Sequence, residues 1–279
     1  MSLHVETAGS GPPLVLLHGW GLHAGVWNET IPALSQHYRC IAIDLPGHGE
    51  SPVVEGDVYA WAEACRAAAP KGAIWLGWSL GGMIALAAAL QAPADIAGLL
   101  LVSTTPRFVT APDWPHAMAP ETLSKFAAEL KSDWRGTVED FLVLQTLGAA
   151  TGRVALRTLR QEVFARGTPE PAGLTAGVRI LENIDLRSRL PEIQIPAKVM
   201  SGQRDRLTPP DAGKALAAAL NGEFELVPRT AHAPFLSAPD VFTEWAQKAP
   251  SPLGRGQGEG SGLISLIPAF SRREKGQES

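Results

Sequence analysis

The chain has 279 residues, 45% of them hydrophobic and 19% charged, and a formal net charge of −4. That is enough chain for one large α/β domain or two small ones, with a sizeable core. The mild negative charge excludes any global electrostatic drive toward nucleic acid or an anionic membrane.

The N-terminal Met1-Ser2-Leu3-His4-Val5-Glu6 lacks the basic-then-apolar pattern of a signal peptide. No apolar run reaches the roughly 18 residues of a spanning helix. Cytoplasm is therefore the expected compartment, with no membrane association. Cys40 and Cys65 lie in apolar runs without metal-ligand spacing, which fits a reducing environment.

In chain order, Leu3 to Thr7 predicts a short opening strand. Leu14-Val15-Leu16-Leu17 is a continuous apolar run, as expected of a strand covered on both faces. It ends in the loop His18-Gly19-Trp20-Gly21. Val26 to Leu34 predicts a short amphipathic helix. Arg39 to Ile43 is the next buried strand and runs into the turn-rich Asp44-Leu45-Pro46-Gly47-His48-Gly49-Glu50-Ser51. Val58 to Ala69 predicts a helix, Ala73 to Trp78 a strand, Met83 to Gln91 a helix, and Ile96 to Ser103 another strand. This alternation predicts a mostly parallel sheet with helices on both faces.

From Pro106 to Asp185 the strand pattern stops. Glu121 to Trp134, Thr137 to Leu147, Arg153 to Ala165 and Leu174 to Asn183 predict helices, punctuated by Gly136, Gly148 and Gly152. A helical insertion of this size after a strand is expected to act as a lid. The sheet pattern resumes at Ala197 to Gly202 and again at Glu223 to Val227, and a helix over Pro239 to Lys248 closes the domain. The expected organisation is an α/β core over 1–105 and 186–249, a helical lid over 106–185, and a low-complexity, disordered tail over 250–279.

Gly77-Trp78-Ser79-Leu80-Gly81 fits G-x-S-x-G, a strand–turn–helix that projects a serine above a sheet edge. A serine nucleophile needs a base and a group that orients the base. Asp205 and His232 each follow a predicted strand, in the chain order serine, acid, histidine. Asp205 would accept Nδ1–H of His232, which leaves Nε2 free to take the Ser79 proton. Leu80 N–H and the backbone of Trp20 would form the oxyanion hole. His18 is expected to brace the Trp20 loop, and Asp44 to organise its own turn. His4, His23, His37 and His116 are expected to be solvated or structural. Neither a metal-ligand cluster nor a dinucleotide-binding glycine pattern is present, so no metal or cofactor is expected.

Several stretches carry a resemblance. His18-Gly19-Trp20-Gly21, Asp44-Leu45-Pro46-Gly47, Ile74 to Gly82 and Ala231-His232-Ala233-Pro234-Phe235 resemble the biotin-pathway carboxylesterases, the pimeloyl-[acyl-carrier protein] methyl ester esterases of the α/β-hydrolase superfamily. In the expected lid, Phe141-Leu142-Val143-Leu144-Gln145-Thr146-Leu147-Gly148 resembles that family's pocket-lining segment, and Arg179 to Arg187 its return to the sheet. The likeness covers about residues 2–248.

The resemblance implies a Ser79 acyl-enzyme, with Asp205 and His232 completing the triad. It implies substrate contacts from Trp20, Ser79, Leu80, Phe141, Leu142, Val143, Leu144, Gln145 and His232. Phe141, Leu142 and Leu144 would wall the aliphatic chain, and Gln145 would hold one of its ends. An acidic acyl-carrier protein is the implied partner. Arg153, Arg157 and Arg160 recur on one helix face and, with Arg135 and Arg166, are the candidates for docking it. The chain is expected to act as a monomer. The alternatives are a broad short-chain carboxylesterase of the same fold and a ligand-binding receptor that keeps the fold with little turnover.

Overall fold

A computed structural model of the chain describes residues 2–166 and 169–248. The 250–279 extension therefore lies outside the described residues. The elements in order are β1 (Val5–Ala8), β2 (Pro13–Leu17), α1 (Ile31–Leu34), β3 (Arg39–Ile43), α2 (Val58–Ala68), β4 (Ala73–Trp78), α3 (Leu80–Gln91) and β5 (Ile96–Val102). There follow α4 (Pro120–Ser132), α5 (Trp134–Thr146), α6 (Gly152–Val163), α7 (Pro171–Asn183), β6 (Ala197–Gly202), α8 (Pro210–Ala219), β7 (Glu223–Val227), α9 (Pro234–Ser237) and α10 (Pro239–Gln247).

The strands form one seven-stranded sheet in the order β1-β3-β2-β4-β5-β6-β7. Only β1 is antiparallel to its neighbour. The central strands read as uninterrupted apolar runs because helices cover both faces. Leu14 to Leu17 are each 0% exposed. From β2 the chain moves to β3 on one side, then crosses over to β4 on the other. The carboxyl ends of β2 and β4 therefore flank the point where the winding reverses, which is where such sheets bind ligands. Those ends carry His18-Gly19-Trp20 and Ser79.

The expected helix over Val26 to Leu34 is divided in two. His23 Nδ1 accepts Gly25 N–H and starts a single tight turn at Ala24–Trp27, and α1 begins separately at Ile31. Pro32 has no N–H to give Asn28 O, so a continuous helix cannot pass through this point. Gly136, expected to interrupt two helices, lies in the first turn of α5. There its N–H donates to the Asp133 carboxylate at 2.9 Å, an N-cap that starts the helix at Trp134. Residues 107–118 form neither helix nor named strand, but a loop closed by short bridges from Val109 to Met118 and from Ala111 to Trp114.

Candidate active site

Ser79 sits between β4 and α3 at φ 55°, ψ −119°. This left-handed conformation costs on the order of 1–3 kcal/mol for a non-glycine residue and persists only where the surroundings enforce it. The turn is that tight because the helix doubles back on its own strand. A Cβ at Gly77 would lie 2.5 Å from Gly81 O, and one at Gly81 2.5 Å from Leu17 O. Ser79 is held by its backbone, with N–H on Val102 O and the carbonyl accepting from Thr104 Oγ1, Gly82 N and Met83 N. The bonds that begin α3 thus start at Gly82, which leaves the Leu80 N–H at the helix mouth without a helical partner.

Asp205 follows β6 and His232 follows β7. His232 Nδ1 lies 2.8 Å from Asp205 Oδ2. Asp205 also accepts from Thr208 Oγ1 at 2.8 Å and from the N–H groups of Leu207 and Thr208 at 2.9 and 3.0 Å. These bonds fix the carboxylate and point one oxygen at the imidazole. With Nδ1–H donated to Asp205, Nε2 is the acceptor; it is buried and makes no hydrogen bond among the described residues. The His232 carbonyl accepts Trp78 Nε1–H at 2.8 Å, which ties the base loop to the residue before Ser79.

The Trp20 loop approaches Ser79 closely, since a Cβ at Gly19 would stand 3.4 Å from Ser79 Cβ. His18 braces it. Leu45 N–H donates to His18 Nε2 at 2.8 Å, so Nδ1 carries the proton and donates it to Gly19 O at 2.7 Å. Burial drives the His18 pKa down to about 3, which keeps this neutral tautomer. His48, also buried, is lowered to about 4. His23 is likewise buried and joins the core to α6, with Nε2 donating to Glu162 O.

Asp44 does more than organise its own turn. Its carboxylate accepts from Ala24 N at 2.6 Å, Glu50 N at 2.9 Å and Arg166 Nη1 at 3.2 Å. Burial pushes its pKa up, but the two N–H donors and Arg166 outweigh burial and hold it below the ordinary carboxylate value.

The four helices α4–α7 supply the rest. Trp20 Nε1 donates to Leu174 O at 2.9 Å, and Gly177 of α7 is so close that a Cβ there would lie 2.6 Å from the indole. Phe126 and Phe141 meet the Trp20 ring edge-on at centroid distances of 5.0 and 5.1 Å. Phe126 was not singled out from the sequence. It lies in a different helix from the Phe141 run, and no local signal marks it.

Within the run itself, Phe141, Leu142 and Gln145 are buried, but Val143 and Leu144 are 37% and 40% exposed. A helix cannot aim five consecutive side chains at one place. Phe141 and Gln145, four residues apart, share the inner face, and Val143 and Leu144 point outward. Leu144 as a wall for the aliphatic chain is therefore corrected. The Gln145 side-chain Oε1 is buried without a partner among the described residues, while its backbone carbonyl accepts His232 N–H at 3.0 Å.

The candidate docking arginines separate into four groups. Arg153 and Arg157 are exposed on α6, with no ion pair among the described residues. Arg160 is also exposed but pairs with Glu139 at 2.7 Å. Arg135 lies over the Trp134 and Phe164 rings. Arg166 is corrected: its side chain is only 13% exposed and binds the buried Asp44 and the partly exposed Glu6.

The site is closed, with Ser79 4% and His232 1% exposed. A surface groove of about 340 Å³ runs between Gly56–Tyr59 and Arg179–Leu186, and Ser79 does not line it. Among the described residues, no three His, Cys, Asp or Glu side chains converge to hold a metal ion, and no helix is long and apolar enough to cross a membrane.

Residues 12–239 match the family model for the alpha/beta hydrolase fold. A pimeloyl-[acyl-carrier protein] methyl ester esterase from Xanthomonas oryzae pv. oryzae is 45% identical over 251 residues, which span 88% of this chain and 98% of that protein. The enzyme of the same name from Methylococcus capsulatus is 42% identical over 239 residues, covering 85% of this chain and 94% of its own. A thermophilic esterase from Thermogutta terrifontis superposes with a TM-score of 0.75 at 26% identity, covering 88% of this chain and 91% of the esterase. The chain belongs to the α/β-hydrolase family and, within it, to the pimeloyl-[acyl-carrier protein] methyl ester esterases.

Proposed function

We propose that the chain hydrolyses the methyl ester of pimeloyl-[acyl-carrier protein] to the free carboxylate and methanol, a step of biotin synthesis, through an acyl-enzyme on Ser79. The observation that carries the reading is the buried Asp205–His232 pair, whose free Nε2 belongs to the loop bonded to Trp78, next to the Ser79 elbow. His232 Nε2 takes the Ser79 proton as Oγ attacks the ester carbonyl. The tetrahedral oxyanion is held by the N–H groups of Leu80 and Trp20. The imidazolium returns its proton to the leaving methoxide, and methanol departs. Water, deprotonated by the same imidazole, then releases the carboxylate and restores Ser79.

The α4–α7 insertion acts as a lid in this reading, because a serine only 4% exposed must be uncovered for an acyl chain to reach it. Trp20, Phe126 and Phe141 offer the aliphatic chain an apolar wall. The carrier protein docks on Arg153 and Arg157, the α6 cations whose charge is not already engaged. Two buried free cysteines fit a reducing compartment, and we assign the reaction to the cytoplasm.

Ser79→Ala should lower turnover of the carrier-bound methyl ester and of a short p-nitrophenyl ester by roughly four orders of magnitude or more. It should also fail to rescue a biotin auxotroph lacking the esterase. Wild-type turnover no greater than that of the variant would sink the esterase reading in favour of a receptor. Arg153→Glu with Arg157→Glu should raise KM for the carrier-bound ester about tenfold and leave the p-nitrophenyl ester unchanged, an effect of about 1.4 kcal/mol for two exposed charges. Equal losses on both substrates would refute docking at this face.

A further inference from the structure

The turn joining α5 to α6 is fastened to both loops that carry the acid and the base. The last carbonyls of a helix have no partners within it. In α5 the Gln145 carbonyl finds the His232 N–H at 3.0 Å. Two residues beyond the helix, Gly148 adopts φ +91°, a conformation that glycine reaches without strain. Its carbonyl accepts Arg204 Nη1–H at 2.7 Å. Ala150 N–H then donates to Arg229 O at 2.9 Å.

The two catalytic loops are also joined to each other. Arg204 N–H donates to Thr230 O at 2.8 Å, and Arg229 N–H donates to Gln203 Oε1 at 3.1 Å. Residues 203–205, 229–232 and 145–150 thus form one hydrogen-bonded knot with Asp205 and His232 inside it. Most of its bonds are backbone to backbone. The charged donor is Arg204, the residue immediately before Asp205.

The opposite side of the insertion is built differently. Among the described residues, no hydrogen bond or ion pair joins α4 to the sheet or its loops. Its Phe126 meets Trp20 and Phe141 through ring contact alone. An insertion that must uncover Ser79 can slide on rings with little directional penalty. It cannot swing at the α5–α6 corner without pulling on the His232 backbone.

We propose that Arg204 is a positioning residue for the acid–base pair. By pinning the Gly148 carbonyl it keeps the α5–α6 corner seated on the Asp205 and His232 loops, and this corner stays in place while α4 moves to admit substrate. The role rests on the serine-esterase reading. It predicts a loss in the chemical step, because a misplacement of about 1 Å in a catalytic group costs up to roughly 100-fold. It predicts no loss in binding, because Arg204 does not touch the acyl site.

The test compares full-length wild type, Arg204→Met and Arg204→Lys on a short p-nitrophenyl ester and on the carrier-bound methyl ester, with thermal melting of each. Arg204→Met should lower kcat about tenfold on both esters with KM unchanged and Tm within about 3 °C of wild type, as expected for one exposed hydrogen bond. Arg204→Lys, which keeps a charged donor, should recover most of kcat. Unchanged kcat in Arg204→Met would overturn the proposal. So would a rise in KM confined to the carrier-bound ester, which would make Arg204 part of the docking face. A loss of activity that follows a falling Tm and is not recovered by lysine would reduce Arg204 to a structural contact, and would also overturn it. Absence of wild-type turnover on either ester would instead remove the esterase reading beneath it.

Discussion

The sheet edge and the helical insertion build opposite halves of one site by different means. At the sheet edge, position comes from the backbone. Ser79, Asp205 and His232 each follow a strand; β4 and β6 are held by hydrogen-bond ladders on both sides, and the edge strand β7 by its ladder to β6. In the insertion, away from the α5–α6 corner and its backbone bonds to the His232 loop, position comes from side chains. Phe126 and Phe141 rest on Trp20 as rings, Trp20 reaches Leu174 O through its indole, and Arg166 reaches Asp44. The backbone-held half can keep atoms within the tolerance that proton transfer demands. The side-chain-held half has fewer directional bonds to break, as the proposed lid role requires.

The comparison breaks most visibly at Asp205. Asp205→Asn should leave the fold intact, since an amide oxygen can still accept the N–H groups of Leu207 and Thr208. It should nonetheless cut kcat by roughly 10³ to 10⁴, because the His232 tautomer and the imidazolium both depend on the carboxylate. Single-turnover kinetics with a p-nitrophenyl ester would show a drop in acylation rate. A loss of under tenfold would mean that Thr208, whose Oγ1 lies 3.3 Å from His232 Nδ1, can orient the base instead.

A smaller effect is expected where the insertion meets the core through charge. Arg166→Met leaves Asp44, which is 0% exposed, without its cation, although two N–H donors remain. Breaking such a pair costs up to roughly 3–5 kcal/mol, and the surviving donors should bring it nearer to about 2 kcal/mol. A fall in Tm of about 5 °C, partly recovered on adding Asp44→Asn, would establish the contact as a buried ion pair. An unchanged Tm would show that the Arg166–Asp44 contact adds nothing to how the insertion is held.

At neutral pH the smallest effect is that of the buried histidines, which emerges only on acidification. Burial lowers the pKa of His18 to about 3 and of His48 to about 4, against about 6.5 in an unfolded chain. A lowered folded-state pKa means that the unfolded chain binds more protons between those values. The stabilisation is therefore complete above about pH 6.5 and is lost as pH falls toward 4. Each histidine contributes a slope of at most about 1.4 kcal/mol per pH unit in that window. His48→Phe, which keeps a ring against Trp61, should flatten the decline of Tm between about pH 6.5 and 4. An unaltered slope would mean that the acid sensitivity arises elsewhere.

Where the local pattern forces geometry, the sequence was sufficient. Gly77 and Gly81 mark positions where a Cβ does not fit, and Asp205 and His232 fall in loops after two expected strands. His18 could be assigned a bracing role from its place after β2. Contiguity in sequence misled in the insertion, because 3.6 residues per turn sends Val143 and Leu144 away from the face that Phe141 and Gln145 share. Arg166 looked like one more surface cation, since nothing near it in the chain shows that Asp44 and Glu6 will be its neighbours.

The sequence by itself determined the strand–helix alternation and the placement of Ser79, Asp205 and His232, in that order, at strand ends along one sheet edge. Those follow from backbone rules acting over a few residues: buried strands, tight glycine turns, and loops at strand ends. Only the tertiary structure decided which insertion side chains reach the site, that Phe126 joins Trp20 and Phe141, and that the α5–α6 corner is bonded to both catalytic loops. These depend on how helices more than 100 residues from Trp20 in the chain pack against the sheet, and packing between distant segments leaves no local trace in sequence.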